Sequence, residues 1–336
     1  MATVVVLGDI NIDVLMPVPD YPQPGGETLS EQVIFSLGGS AANTATVLAR
    51  LGVHPRMLAR VGQDPWAEMS LDALKQAGVD VSCVQRDTQA PTGVMFMPVT
   101  PDGERTMFGQ RGANPRLDPT PITADIFAAA RWLHLSGYAL MADPQRQAAL
   151  RAIDLAGQGD LPISMDTALL PALTVPEHIR WVLSSLAVCI LGIEEARALA
   201  GVKAPDQAAL ALLRAGVGLV GLKLGAGGCL LADRKGMQTI PPFPAQVVDT
   251  TGAGDAFSAG LIYGRLCELS LPATGILANA LGSLATASHG AGATLPGWEA
   301  ARELLEKNLA GTEGEREIWI REALDLLKGA GSSAAA

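Results

Sequence analysis

The chain has 336 residues, 49% of them hydrophobic, which is enough to bury a large core in one large domain or two smaller ones. Asp and Glu number 34 against 24 Lys and Arg, and the resulting net charge of −10 argues against an extended nucleic-acid or anionic-membrane surface, so any phosphate site must be local. Cys83, Cys189, Cys229 and Cys267 lie far apart with no C-x-x-C pair, so neither a zinc site nor a disulfide framework is indicated, and reduced thiols in a soluble, cytoplasmic protein are expected.

The first segment, Val4-Val-Val-Leu7, reads as a buried strand that stops at Gly8-Asp9, too soon for a signal peptide or a membrane span. Directly after it, Gly8-Asp9-Ile-Asn11-Ile-Asp13 sets Asn11 and Asp13 on one face of extended chain, as fixed donors and acceptors for a polyol. Val14–Phe35 carries Pro17, Pro19, Pro22 and Pro24 with Gly25-Gly26, a composition unsuited to a covering helix. Leu37-Gly-Gly-Ser-Ala-Ala-Asn43 then joins a glycine turn to a helix over Ala41–Leu51, with Asn43 on its first turn and the amides of Gly38 and Gly39 exposed. A strand over Arg56–Val61 and a helix over Trp66–Ala77 follow, and Val94–Gln110 gives strand-like runs joined by Thr100-Pro-Asp-Gly103.

Beyond these, strands over Trp132–Leu135, Pro162–Asp166, Val188–Leu191 and Leu219–Lys223 alternate with helices over Pro144–Ala156, Trp181–Val188, Glu194–Ala200 and Gln207–Ala215. Repeated βα units predict an α/β fold with a mostly parallel sheet covered on both faces, and ligands at the carboxyl ends of its strands. The two stretches that break the rhythm, about 14–36 and 92–113, form either a small β-sheet beside the site or ordinary surface hairpins. One domain over residues 1–328 is expected, with a flexible tail at 329–336.

The chemistry concentrates in Asp249-Thr-Thr-Gly-Ala-Gly-Asp255, where Val247-Val248 reads as a strand end and Ala256, Phe257, Leu261 and Ile262 follow helical spacing. Gly252 and Gly254 allow several N–H groups to converge above the helix start, and the helix dipole favours a phosphate there. Asp255 beside that phosphate is sited to take a proton from an attacking hydroxyl, which suggests phosphoryl transfer to an alcohol. Gly-Ala-Gly-Asp by itself would equally serve as a plain helix cap. Upstream, the run from Leu219 to Gly228 reads as strand, glycine turn and strand, with Lys223, Gly225 and Gly228 where a triphosphate could pass. Arg105 and Arg111 carry guanidinium groups suited to a carboxylate or phosphate on the acceptor, and Tyr138 offers a phenol either to the pocket or to the core.

Neither G-x-x-x-x-G-K-[ST] nor G-x-G-x-x-G after a strand occurs, which argues against a P-loop ATPase and a dinucleotide enzyme. His54, His134, His178 and His289 show no metal spacing, and Ser136-Gly137 lacks the first half of a G-x-S-x-G elbow.

The string ending at Asp255, together with the helix after it, resembles the C-terminal motif of the ribokinase-like (PfkB) carbohydrate kinase family. The strings around Asn11 and Asn43, followed by Leu48-Ala-Arg-Leu-Gly52, resemble that family's N-terminal motif, and the likeness runs from Gly8 to about Leu295. The resemblance implies a three-layer α/β/α fold with a small β-sheet lid. It also implies an ATP-dependent, Mg²⁺-requiring kinase acting on a hydroxymethyl group, with Asp255 as base and the amides of Gly252, Ala253 and Gly254 as the anion hole. On the same basis Asn11, Asp13, Gly39 and Asn43 hold the sugar, and Arg111-Gly-Ala-Asn114 is a lid segment. The resemblance further implies that Lys223, Gly225 and Gly228 belong to a nucleotide-binding hairpin, that Asn279 in a helix over Ile276–Ser288 lies near adenine, and that a monovalent cation such as K⁺ sits near Asp249 and Thr251.

One departure stands out. The family's Asn-x-x-Glu motif, which organises Mg²⁺ and phosphate through water, reads Gly192-Ile-Glu-Glu195 here, so Glu195 remains and the Asn is a glycine. Ribose-, fructose- and ketodeoxygluconate-like acceptors fit the resemblance. A nucleoside kinase of the same fold is the alternative, although with 4% aromatic residues no base slot is evident, and Gly192 prompts a third reading as a non-catalytic sugar or nucleotide sensor. Val33, Phe35, Met95 and Met97 suit either a homodimer contact through the lid or a cap over the chain's own sugar site, and no nucleic-acid or membrane partner is expected.

Overall fold

The computed structural model describes residues 3–101 and 106–334. In chain order it contains β1 (Thr3–Leu7), β2 (Asn11–Pro17), β3 (Ile34–Gly38), α1 (Ser40–Arg50), β4 (His54–Leu58), β5 (Arg60–Gly62), α2 (Pro65–Gln76), β6 (Gln85–Asp87), β7 (Gly93–Val99) and β8 (Phe108–Gln110). The middle of the chain supplies β9 (Ala130–Ser136), α3 (Gln145–Gln158), β10 (Ile163–Asp166), α4 (Leu169–Thr174), α5 (Pro176–Val182), β11 (Val188–Gly192), α6 (Ile193–Ala200) and α7 (Pro205–Arg214). It closes with β12 (Leu219–Lys223), β13 (Cys229–Asp233), β14 (Gly236–Ile240), α8 (Ala253–Leu266), α9 (Leu271–Ala285), α10 (Trp298–Leu309) and α11 (Glu315–Ala334).

The main sheet runs β14-β13-β12-β11-β10-β9-β1-β4, parallel from β12 to β4 and antiparallel at β13 and β14. Apart from the largely exposed edge strand β14, its strands send alternate side chains into cores on both faces. Val4 and Val6 of β1 join the cluster containing Leu48 of α1, Phe257 of α8 and Leu281 of α9, whereas Val5 and Leu7 join the one with Ala149 of α3, Ile179 of α5 and Leu212 of α7. Each fully buried Val or Leu contributes roughly 1.5–3 kcal/mol of apolar transfer free energy. Helices therefore cover both faces, giving three layers, and the parallel strands deliver their carboxyl ends to one edge: Leu7 before Asp9, Ser136, Asp166, Gly192 and Lys223.

A second sheet, β3-β2-β7-β8, is formed by the stretches that broke the rhythm. Register pairs Asp13 with Ser36 and Met95, and Met95 with Gly109, while the next row sets Val14 beside Phe35 and Phe96, and Phe96 beside Phe108. Asn11, Asp13 and Met95 thus share one face, and the phenylalanines occupy the other. Of the apolar lid positions, Met97 is only 2% exposed and packs inward, whereas Val33 and Phe35 are exposed. Phe35 also stacks on Trp66 of α2, with ring centroids 5.1 Å apart. Arg105 and part of the Thr100–Gly103 turn lie outside the described residues.

Several boundaries differ from expectation. The single strand over Arg56–Val61 divides at Ala59, β4 staying in the main sheet and β5 pairing with β6. The helix expected over Trp181–Val188 lies upstream as α5, followed by a 3₁₀ turn at Leu183–Ser185. No strand forms at Val247-Val248: β14 stops at Ile240, Pro241, Pro242 and Pro244 lack the N–H a ladder needs, and Val247 is 63% exposed. α9 begins at Leu271, where Ser270 caps it by accepting from the Ala273 N–H, well before the expected Ile276. The helical backbone of α11 continues through Ala334, into the stretch expected as a tail. Among the described residues no helix is long and apolar enough to cross a membrane.

Candidate active site

Asp255 lies in the first turn of α8, whose N-cap Gly252 has φ 78°, a left-handed geometry that favours glycine. A Cβ there would also come within 2.8 Å of Leu295. The first turn of α1 faces that of α8, so the Ser40 hydroxyl donates to Asp255 Oδ1 at 2.7 Å and Asn43 Nδ2 donates to Oδ2 at 2.8 Å. Burial pushes the Asp255 carboxyl up to about 6, with the nearby Asp166 charge adding to the rise, while the bonds from Asn43 and Ser40 and the Lys223 charge oppose it. The result is a carboxylate poised to accept a proton near neutral pH. At the helix start the N–H groups lack carbonyls one turn back. That of Ala253 reaches Thr250 O at 3.3 Å, and Gly254 lies against Lys223, whose Nζ is 3.3 Å from where a Cβ would stand.

On the side of the small sheet, Asp13 sits over Gly38 so closely that a Cβ on Gly38 would lie 2.0 Å from its Oδ1. Gly39, the N-cap of α1, has φ 96°, and a Cβ there would be 2.3 Å from Asp9 O. Both glycines let α1 begin directly beneath the polar end of β2. Asn11 is buried and accepts from Asn114 Nδ2 at 2.8 Å, while the same side chain bonds Ile10 N, Ile10 O and Arg111 O. Asn114 therefore ties the end of the Arg111–Asn114 segment to the β1–β2 connection.

Arg111, expected to meet an anion on the acceptor, is engaged within the protein. Its Nε and Nη2 grip Asp9 at 2.8 and 2.9 Å, Nη2 also donates to Tyr138 O and Gln145 Oε1, and the guanidinium lies 5.7 Å from the Tyr138 ring centroid. Tyr138 thus packs under that cation, and burial followed by the Asp9 charge raises its phenol.

Behind Asp255 opens a cavity of about 670 Å³, within the range of small-molecule sites. Lys223, Gly225, Gly228, Thr250, Ala253 and Gly254 line its polar end, and Phe243, Val247, Phe257, Asn279 and Thr286 line the rest. Gly225 (φ 57°) and Gly228 (φ 82°) turn the chain between β12 and β13, and a Cβ on Gly228 would strike Ile240 O at 2.2 Å. Asn279, expected beside a base, donates to Ile240 O and Pro241 O, so its amide holds the cavity wall in place.

The charges at the polar end are held by Glu195, which the sequence singled out, and by Asp166, Ser258 and Thr167, which sequence reasoning missed. Asp166 Oδ2 accepts from Lys223 Nζ and from Ser258 Oγ, both at 2.7 Å. Burial works against the Lys223 charge, but Asp166 and Glu195 outweigh it and raise its pKa. Glu195 Oε2 accepts from Gly192 N at 2.6 Å and Thr167 Oγ1 at 2.9 Å, and burial raises its carboxyl. The only local signal for Asp166 was a charge closing an apolar strand at the sheet's carboxyl edge. Among the described residues no three His, Cys, Asp or Glu side chains converge on a metal position. Mg²⁺ keeps several waters and takes few protein ligands, so Glu195 with Asp166 is the donor set such an ion would use here. Asp249 accepts from Thr251 N, Thr251 Oγ1 and Gly290 N, closing the loop that leads into α8.

A model of the pfkB family carbohydrate kinases matches residues 1–298. A probable fructokinase-4 from Arabidopsis thaliana is 30% identical over 310 residues, covering 87% of this chain and 95% of its own. Among solved structures, Arabidopsis thaliana ribokinase complexed with ribose and ATP superposes with a TM-score of 0.79 at 25% identity, covering 90% of this chain and 99% of its own. An Escherichia coli chain assigned as ribokinase II, in complex with ATP and Mg²⁺, gives a TM-score of 0.81 at 22% identity, covering 91% and 100%.

Proposed function

Because the chain belongs to the pfkB family of carbohydrate kinases, we propose that it transfers the γ-phosphoryl group of ATP to a hydroxymethyl group of a ribose-, fructose- or ketodeoxygluconate-like sugar, with Asp255 as base. The observation that carries this reading is the position of Asp255, clamped by Ser40 and Asn43 between the polar face of the small sheet and the cavity bearing Lys223. Asn43 Oδ1 is buried and, among the described residues, has no partner, which a sugar hydroxyl would supply.

In the proposed reaction the acceptor is held by Asn11, Asp13, the Gly39 backbone and Asn43. Its hydroxyl oxygen bonds to the γ-phosphorus as the proton passes to Asp255, and the bond from that phosphorus to the bridging oxygen breaks, leaving ADP with the electron pair. The amides at Gly252–Gly254 and the ammonium of Lys223 meet the charge on the moving group, and Gly225 and Gly228 leave room for the phosphate chain. Mg²⁺, when bound near Glu195, supplies further charge neutralisation. The small sheet acts as a lid that excludes water. Arg111 orders this lid through Asp9 instead of contacting the sugar.

We also assign K⁺ to the loop of Asp249 and Thr251 and a homodimer contact to the exposed edge at Val33 and Phe35, and we assign the enzyme to the cytoplasm. Rates unchanged when K⁺ is replaced by tetramethylammonium would remove the first, and a monomer at all concentrations in sedimentation the second. The reaction itself is tested by ATP consumption over ribose, fructose, 2-keto-3-deoxygluconate, adenosine and inosine with Mg²⁺. Turnover of a sugar is expected, and no turnover across the panel would defeat the reading.

A further inference from the structure

The last two helices lie outside the span matched by the family model: α10 begins at Trp298, where the match ends, and α11 follows. They are nevertheless welded to the core, since Ala301 and Leu305 of α10 and Ile320, Ala323, Leu324 and Leu327 of α11 are buried in one cluster with α9. Glu322 of α11 accepts from both Ser270 N and Ser270 Oγ at 2.6 Å, fixing the start of α9.

The cavity wall that α11 approaches is the irregular segment after β14. Its prolines cannot pair as a strand, and its backbone carbonyls are held by side chains instead. Asn279 donates to Ile240 O and Pro241 O, Ser283 to Phe243 O at 3.4 Å, and Arg316 of α11 to Pro242 O at 2.9 Å. The Arg316 guanidinium also lies 5.1 Å from the centroid of the Phe243 ring, which lines the cavity, and no carboxylate among the described residues pairs with it. Phe243, Pro244 and Val247 give the cavity an apolar lining, which suits the base of a nucleotide.

We propose that α11 supports the nucleotide site from behind its wall, with Arg316 a positioning residue that fixes Pro242 and Phe243 against the base. This rests on the reading of that cavity as the nucleotide site. A charged donor on a carbonyl and a cation over an aromatic face each hold more strongly when partly desolvated.

The test uses the full chain, with ADP binding followed by calorimetry. Arg316→Ala is expected to weaken ADP about 5- to 30-fold, with a melting temperature lowered by no more than about a few degrees, a raised KM for ATP and a kcat within about twofold. Arg316→Lys, which keeps the charge but loses the planar stack, falls between it and wild type. Arg321→Ala, which removes only an exposed pair with Glu317 on the same helix, stays within about twofold of wild type. Arg316→Ala binding ADP as tightly as wild type, or Arg321→Ala weakening it equally, overturns the inference and leaves the nucleotide reading standing. A wild-type protein that takes up no ADP overturns both.

Discussion

On the acceptor side, polar side chains hold one another: Arg111 grips Asp9 with Gln145 alongside, Asn114 holds Asn11, and Ser40 and Asn43 clamp Asp255. At the wall of the nucleotide side, unlike the Lys223–Asp166 pair at its polar end, side chains hold backbone: Asn279, Ser283 and Arg316 each take carbonyls of a proline-rich segment lined with apolar groups. The first arrangement is a buried charge network, in which losing one partner strands another. The second shares its load among several bonds, so a single loss is diluted. The acceptor side should therefore respond to substitution steeply and selectively, and the nucleotide side by degrees.

The steepest break is Asp255→Asn, which removes the proton acceptor. A fall in kcat of about 10²–10⁴ is expected with ATP binding retained, and a variant keeping a tenth of wild-type turnover would remove Asp255 from the chemistry. Stability should move the other way. The folded pKa of about 6 lies above that of the unfolded chain, so the stability Asp255 gains from holding a proton is complete below about pH 4 and lost as pH rises through about 6. Asn stays neutral, so the variant should melt higher than wild type at pH 8, by the equivalent of roughly 2–3 kcal/mol, and equally at pH 4.

Next is Gly38→Ala. The new methyl would overlap Asp13 Oδ1, and the cheapest relief is rotation of that carboxylate. The fold should survive while KM for the sugar rises about 10- to 100-fold and KM for ATP stays put. Equal rises in both would erase the contrast between the two sides. Asn43→Ala acts more gently: losing its bond to Oδ2 leaves the Asp255 carboxyl higher still, so the acidic limb of the kcat profile moves up by about half to one pH. A limb that stays in place would show that Asn43 serves the sugar alone.

Much of this was legible in the sequence, for stated reasons. The βα alternation and the Gly-Ala-Gly-Asp turn are local patterns: β1, α1 and β12 follow within a residue or two, and α8 appears where expected but already starts at Ala253, inside that turn. What the sequence hid was long-range. Nothing near Asp166 says that its partners are Lys223 and Ser258, 57 and 92 residues away. Arg111 carries the right chemistry for an anion, and only the fold reveals that the anion is Asp9. Val247-Val248 looked like a strand because two β-branched residues outweighed the prolines before them, and whether Met97 meets a partner or its own chain stayed open because alternation does not say which face of a small sheet meets the core.

The smallest effect is expected at Gly192, where the family's usual asparagine is missing. Restoring it would seem the surest gain, yet the geometry argues otherwise. Glu195 is already held by the Gly192 N–H and the Thr167 hydroxyl on one oxygen, and a Cβ on residue 192 would stand 3.1 Å from the other oxygen, so the carboxylate must yield by a few tenths of an ångström. Gly192→Asn should therefore shift the Mg²⁺ concentration for half-maximal rate by less than about threefold, whereas Thr167→Val, which strips a donor from Glu195, should raise it by about 3- to 10-fold. A tenfold tightening by Gly192→Asn would mean that the bonds already on Glu195 do not suffice to order it for the ion, and that this side of the site is no more forgiving than the other.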